Sequence, residues 1–450
     1  MINQYKETIN ELYKRRTKGI KLGLDRVFST LELLGNPQKE FKSIHIAGTN
    51  GKGSVSKIIY NLLRAHGCNV GLFTSPHLTR FTERIVVNDI EISEDDILRL
   101  IEKIKPYSED LTFFEYITVM AFLYFKEKNI EYAVLETGMG GRLDATNVVN
   151  PEISVITSIG VDHQRFLGND IKSIAFEKAG IIKKGIPVVS SSQQVEVEEL
   201  LRQRAKQLNS DFYIYGKDFL SFLNKMSFEG LWFDFCFFKN CIQKKVDCTV
   251  QPERDSKRIF SLFLPLTGFH QLENVSVALE AFIRSYPQWN EDSIKEGLKN
   301  VKMYGRLEVI SHDPLIILDI AHNPHAAKSL VSSLKMLTDK KPVVVFGVMK
   351  DKDFKGVIKH FDGYAHSFFF TTPAYERALK IDEFLSQLNG DFRIQISCVT
   401  DSEQAFKQAL NVCREKPHLY LLCTGSSYLI GEIKEFFGEK SLHKGLGELL

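Results

Sequence analysis

Cysteine is scarce and unordered in this 450-residue chain: Cys68, Cys236, Cys241, Cys248, Cys398, Cys413 and Cys423 make seven, with no CxxC spacing among them. An odd, scattered set of thiols excludes a disulfide framework and a zinc knuckle, and reads as buried or idle side chains. Net charge is also nearly missing. Lys plus Arg number 58 against 56 Asp plus Glu, a balance of +2, so no global field draws the chain to nucleic acid or to an anionic membrane surface. Any basic site must be local. Long apolar runs are absent as well: the longest, Tyr116 to Phe125, falls far short of the roughly 20 residues that span a bilayer and reads as a buried helix. The opening MINQYKETINELYKRR is a charged amphipathic pattern without the apolar centre of an export signal, so a cytoplasmic protein is expected. No short-period repeat and no low-complexity segment interrupts the chain.

What is present is the balance of an ordinary globular protein, 44% hydrophobic and 25% charged residues, over a length that predicts two or three domains. From Phe41 to about Pro187, strand-like runs (SIHIAG, NVGLFTS, YAVLETG, ISVITSIG) alternate with helical ones, which predicts a parallel sheet covered on both faces. Asp211 to Leu266 differs: short aromatic alternations such as LWFDFCFF suggest an antiparallel appendage without chemistry of its own. After a linker within Asn300 to Gly305 the alternation resumes with LIILDIAHNP, PVVVFGVM, SFFFTTP and LYLLCTGSSYLIGEI. The expected fold is α/β in two domains: residues 1–301, P-loop ATPase-like with a parallel sheet and a small antiparallel appendage, and residues 302–450, Rossmann-like. Ligands belong beyond the strand C-termini.

SIHIAGTNGKGSVSKIIYNLL, Ser43 to Leu63, carries the strongest local signal. A strand ending in a glycine-rich turn that opens a helix aims successive N–H groups, and the positive end of the helix dipole, at one spot suited to phosphate. Gly48, Thr49, Asn50, Gly51, Lys52, Gly53 and Ser54 form that turn; Lys52 would reach outer phosphates and Ser54 would offer a hydroxyl to magnesium, as in a Walker A loop. The match is imperfect, since Ile46 stands at the first glycine position and Gly53 follows the lysine. Glu136, ending YAVLE, is a carboxylate at a sheet edge where it can hold magnesium or simply cap or pair. Taken alone, His163 after ISVITSIG and Lys178 in EKAGI read more readily as a structural histidine and a helix-surface lysine. Asp319 and His322 end another strand, and Arg306 sits beside the linker, where a guanidinium can neutralise transferring charge.

GTNGKGS is similar to the phosphate loop of the folylpolyglutamate synthase/dihydrofolate synthase family, relatives of the muramyl-peptide ligases. The resemblance continues in the family's order through GLFTSPHL with FTERI, LETGMGGRLDATN, VDHQRFLG, EKAGIIKKG, HQLENV, GRLE, AHNP and GSSYLIGE. It implies magnesium ligation, by two ions, at Ser54, Ser75, Glu136 and His163, with Lys178 carbamylated into a further ligand. It also implies ATP held by the loop, with Asn274 and Arg306 at base and phosphates and Asp319 and His322 facing the nucleotide across an interdomain cleft. The implied reaction activates a carboxylate as an acyl phosphate and joins it to L-glutamate, the acceptor being dihydropteroate, a reduced folate, or both, in a monomer that closes to exclude water. The chain departs from the family pattern at Ile320, where glycine is usual and a side chain has room to narrow the nucleotide site or to leave it unchanged, at Thr82, and in MYGRLE. Three alternatives stay open: a synthase with only one of the two activities, a muramyl-peptide ligase, and a nucleotide-dependent switch. A muramyl ligase usually has an additional domain ahead of the loop, for which little room precedes Gly48; a switch leaves Asp319, His322 and Arg306 unexplained.

Overall fold

A computed structural model describes residues 2–15, 23–162, 167–168, 170–238, 256–388 and 392–437; His163, Cys241 and Cys248 lie outside them. The first sheet contains β1 (Lys42–Ala47), β2 (Val70–Phe73), β3 (Ile85–Val87), β4 (Ile90–Glu91), β5 (Tyr132–Glu136), β6 (Ile153–Ile156), β7 (Val188–Ser190) and β8 (Phe212–Ile214), in the order β4-β3-β2-β5-β1-β6-β7-β8. Its central strands are parallel and buried on both faces, which is why they read as continuous apolar runs. Their side chains alternate between two cores. Ile44, Ile46 and Val134 pack with the helices Lys52–Ala65 and Phe269–Ser285, whereas Ala133 and Leu135 pack with the helix Phe113–Glu127 on the other face. Thr112 starts that last helix with a capping box: Glu115 N–H donates to Thr112 Oγ1 (3.4 Å) and Thr112 N–H to Glu115 Oε2 (2.7 Å).

Two details differ from the sequence reading. The sheet is mixed, because β3 and β4 add an antiparallel edge. Residues Phe212–Ile214, assigned above to the appendage, pair in parallel with β7 instead. The appendage proper is the antiparallel sheet β9 (Phe219–Ser227), β10 (Gly230–Phe238) and β11 (Ser256–Leu264), whose Phe233, Phe235 and Leu262 join the same core as the Phe269–Ser285 helix.

The third sheet contains β12 (Glu308–His312), β13 (Leu315–Leu318), β14 (Lys341–Phe346), β15 (Ser367–Phe370), β16 (Gln395–Cys398) and β17 (Leu419–Thr424), ordered β12-β13-β17-β14-β15-β16. All pair in parallel except β12, and cores lie on both faces. Among the described residues no helix is long and apolar enough to cross a membrane. The described thiols are free, and Cys68, Cys236, Cys413 and Cys423 are buried.

Candidate functional site

Register places the ends of β1, β5 and β6 together, with Ile46 opposite Glu136 and Ala47 opposite Ile156, so the loop after β1 emerges at the C-terminal edge. That loop is tied down. Thr49 N–H and Asn50 N–H donate to Ser158 O (2.9 and 3.2 Å), and Thr49 Oγ1 exchanges bonds with Gly160 O and N at 3.0 and 3.1 Å. Gly51 has φ +90°, and a Cβ there would overlap Asn274 Oδ1, so only glycine serves. Lys52 opens the helix and folds back, Nζ donating to Gly48 O (3.1 Å) and Thr49 O (3.3 Å). Burial pushes its amine below the usual lysine value; Glu136 and Asp162 oppose that, while Arg306 and Lys352 add to it. A cation held at a helix N-terminus fits a polyphosphate.

Glu136 is buried and accepts from Ser75 N–H (3.1 Å); a Cβ at Gly53 would lie 3.6 Å from its Oε2. The structure thus brings the loop, Ser75 and Glu136 together, with buried Ser54 one residue beyond Gly53. Burial raises the Glu136 carboxyl above its ordinary value, and Lys52 is the largest opposing influence. Among the described residues no cation pairs with Glu136 at contact distance, leaving a buried carboxylate next to Ser75, residue types that suit magnesium. No cluster of three or more His, Cys, Asp or Glu among those residues could hold a metal by itself.

Lys178 is not on the surface, as its helix position suggested, but 4% exposed, with Nζ donating to Gly48 O at 2.7 Å. The loop after β5 grips the end of its helix: Arg142 N–H donates to Glu177 O (2.7 Å) and Asn147 Nδ2 to Gly180 O (3.1 Å). Desolvation, reinforced by Lys52 and opposed by Asp162 and Asp144, brings the amine down to about 7.

The second α/β unit faces this edge. Asp319, buried beyond the end of β13, accepts Leu307 N–H and Ala321 N–H, both at 2.9 Å, which fixes the backbone beside Arg306. Desolvation lowers the Arg306 guanidinium from its ordinary value, opposed by Asp319 and then Glu136, so a carboxylate of each unit acts on it. His322 Nδ1 bonds Ile320 O (3.0 Å), turning Nε2 to within 3.5 Å of Asp162 Oδ2. Asn274 Nδ2 donates to Gln271 Oε1 (3.0 Å), leaving Gln271 Nε2 a buried donor without a partner among the described residues.

Ile320 stands beside Gly305, one residue from Arg306. Its side chain packs on the apolar core around Ile430 and crowds Gly305, where Ile430 and Leu78 also converge. Thr82 donates to Glu91 Oε2 (2.5 Å), and Tyr304 of MYGRLE lies under Lys434 at 3.6 Å from Nζ to ring centre. Sequence reasoning missed three cross-cleft contacts. Asn323 Nδ2 donates to Asn50 Oδ1 (3.1 Å), Asn50 Nδ2 lies 3.0 Å from His325 Nδ1, and Lys352 Nζ lies 2.6 Å from Asp162 Oδ1. Asn323 stood inside AHNP and was legible as a helix cap; Lys352 followed the strand PVVVFGVM, at an edge where ligands were expected.

Two family descriptions match in register with these units: the Mur ligase middle domain over residues 46–282 and the Mur ligase glutamate ligase domain over residues 305–427. A phosphate loop in the first and Asp319 and Arg306 facing it from the second define a Mur ligase, an ATP-dependent enzyme that forms C–N bonds. A dihydrofolate synthase/folylpolyglutamate synthase of Bacillus subtilis (strain 168) is 34% identical over 97% of this chain and 99% of its own length. Mycobacterium tuberculosis folylpolyglutamate synthase complexed with ADP and AMPPCP superimposes with a TM-score of 0.87 at 29% identity, covering 97% of this chain and 99% of that one. E. coli FolC in complex with DHPP and ADP gives a TM-score of 0.83 at 27% identity, covering 97% and 98%. The chain belongs to the dihydrofolate synthase/folylpolyglutamate synthase family.

Proposed function

We propose that this enzyme adds L-glutamate both to dihydropteroate and to the glutamate tail of reduced folates. The observation that carries the reading is the second unit bonded to the first beside the phosphate loop, through Asn323 to Asn50 and Lys352 to Asp162, with Arg306 and Glu136 acting electrostatically on Lys52; the Bacillus subtilis relative, named for both activities, supports both acceptors. A carboxylate is a poor electrophile, and amide formation in water is uphill. The acceptor carboxylate attacks the γ-phosphorus of ATP, forming an acyl phosphate and releasing ADP. The amino group of L-glutamate then attacks the acyl carbon, and the tetrahedral intermediate collapses to the amide, phosphate and a proton. Lys52 and the loop N–H groups orient the phosphates, and Arg306 offsets charge on the moving phosphoryl group. Contacts from both sides of the cleft keep water from the acyl phosphate.

Magnesium would be held by Glu136, Ser54 and Ser75, with His163 and a carbamylated Lys178, and supplies positive charge at the transferring phosphoryl group. With its amine at about 7, Lys178 has the neutral form that attacks carbon dioxide, forming an N–C bond and losing a proton to give the carbamate. Asn274 lies at the nucleotide base and His322 faces the nucleotide. We take residues 1–301 as the ATP-binding domain and 302–450 as the glutamate-ligase domain of a cytoplasmic monomer, the state that light scattering reads. The deciding experiment is ADP release by the purified protein with ATP, magnesium and L-glutamate, comparing dihydropteroate with tetrahydrofolate and its 5,10-methylene and 10-formyl forms. Turnover with both classes is expected; turnover with one alone names a single-activity synthase, and with neither the ligase reading fails.

A further inference from the structure

We propose that Lys352 is a positioning residue for phosphoryl transfer: from the second unit it latches onto Asp162 beside the phosphate loop and so keeps Lys52 available to the nucleotide. The inference rests on the ligase reading above. Asp162 follows Gly160, the residue whose backbone exchanges two hydrogen bonds with Thr49 of the loop, so any pull on Asp162 is felt by the loop. Lys352 comes from a turn beyond β14 closed by Lys352 N–H to Met349 O (3.2 Å) and Phe354 N–H to Lys352 O (2.9 Å). Its Nζ lies 2.6 Å from Asp162 Oδ1, and both side chains are only 9% exposed. His322 Nε2 approaches the other carboxylate oxygen at 3.5 Å, and Asp351 Oδ2 lies 4.0 Å from Lys352 Nζ. The contact is therefore a buried ion pair made between units.

A buried pair of this kind is a weak source of stability, but removing one partner leaves the other charge less compensated. Here the charge left behind has a specific effect. Asp162 is a carboxylate that both Lys52 and Lys178 feel; without Lys352, and with His322 still on its other oxygen, it is less fully balanced and competes with the transferring phosphoryl group for the Lys52 ammonium. Held by Lys352, it balances a lysine that the second unit delivers across the cleft. Closure and a correctly aimed Lys52 thus become one event.

The test uses the full chain with Lys352→Met, Lys352→Arg, Asp162→Asn and the double variant Lys352→Met/Asp162→Asn. Acceptor-dependent ADP release should lose about 10- to 100-fold in kcat in Lys352→Met, the scale on which supporting partners of a site act, with KM for ATP within about threefold. Lys352→Arg should recover most of the rate, and the double variant should lose less than the product of the single losses. Small-angle scattering should show AMPPCP contracting the parent chain more than Lys352→Met, a comparison that needs no turnover. A Lys352→Met enzyme with parental kcat, strictly multiplicative losses, or equal contraction overturns the proposal. Failure of every acceptor in the parent chain overturns the ligase reading instead, and the scattering comparison then decides the latch alone.

Discussion

Lys52 and Lys178 both donate to Gly48 O, at 3.1 and 2.7 Å, so two amines share one carbonyl where phosphate is expected. Lys52→Met should lower kcat by about 10²- to 10³-fold, the cost of removing one aimed charge-stabilising group, with an unchanged far-ultraviolet spectrum; a loss under about tenfold would remove Lys52 from the site. His45 makes a separate prediction. It is buried on β1, bonded through Nε2 to Thr146 Oγ1 (2.8 Å), and desolvation pushes its ring down to about 3. The unfolded chain takes up a proton near 6.5 that the folded chain refuses until about 3. Stability is therefore complete above 6.5 and falls as pH drops through that window, at up to about 1.4 kcal/mol per pH unit from this residue. His45→Gln should flatten the decline in urea-unfolding free energy between pH 7 and 5, with a remainder from His270, which burial pushes to about 4. Equal slopes in parent and variant would acquit His45. At this scale the legible residues were those tied to a local backbone motif, Gly48 to Ser54 and Glu136. Lys178 misled because nothing in EKAGI tells that the loop 137–148, distant in sequence, covers its helix.

Among the elements, the phosphate-loop turn is the most constrained. Gly51→Ala forces a side chain into φ +90°, costing about 1–2 kcal/mol, and drives its methyl into Asn274 Oδ1; AMPPCP affinity by calorimetry should fall by at least about tenfold. Gly185→Ala is the matched control, with φ +72° and no neighbour within 4 Å: it should show the backbone cost in stability and parental affinity. Equal affinity losses in the two would mean that strain alone, and not the Asn274 contact, shapes the loop. Long elements with two buried faces were plain in the sequence, as with YAVLE and PVVVF, because their composition follows from burial. The short strands β3, β4, β8, β12 and β16 were not: two to five residues carry little periodicity, and pairing with neighbours fixes them.

At the scale of the whole molecule, the two α/β units were legible as a repeated alternation, whereas the contacts joining them were not, since Asn50 with Asn323 and Asp162 with Lys352 pair across 273 and 190 positions. A nucleotide gripped from both sides should stabilise both units: AMPPCP at a hundred times its Kd adds about 2.7 kcal/mol, visible as one shifted calorimetric transition, while a transition that splits would show that only one unit binds. The third sheet also carries a consequence for synthesis on the ribosome. Its central strand β17, lying between β13 and β14, is the last of the six to be made. The first sheet has all its strands once Ile214 has emerged, but the second unit stays without its middle until Thr424 leaves the exit tunnel, with two half-sheets waiting with open edges. Nascent chains truncated before β17 should therefore carry a settled nucleotide loop beside a partner that chaperones still recognise as unfinished, and activity waits on the insertion of that one strand.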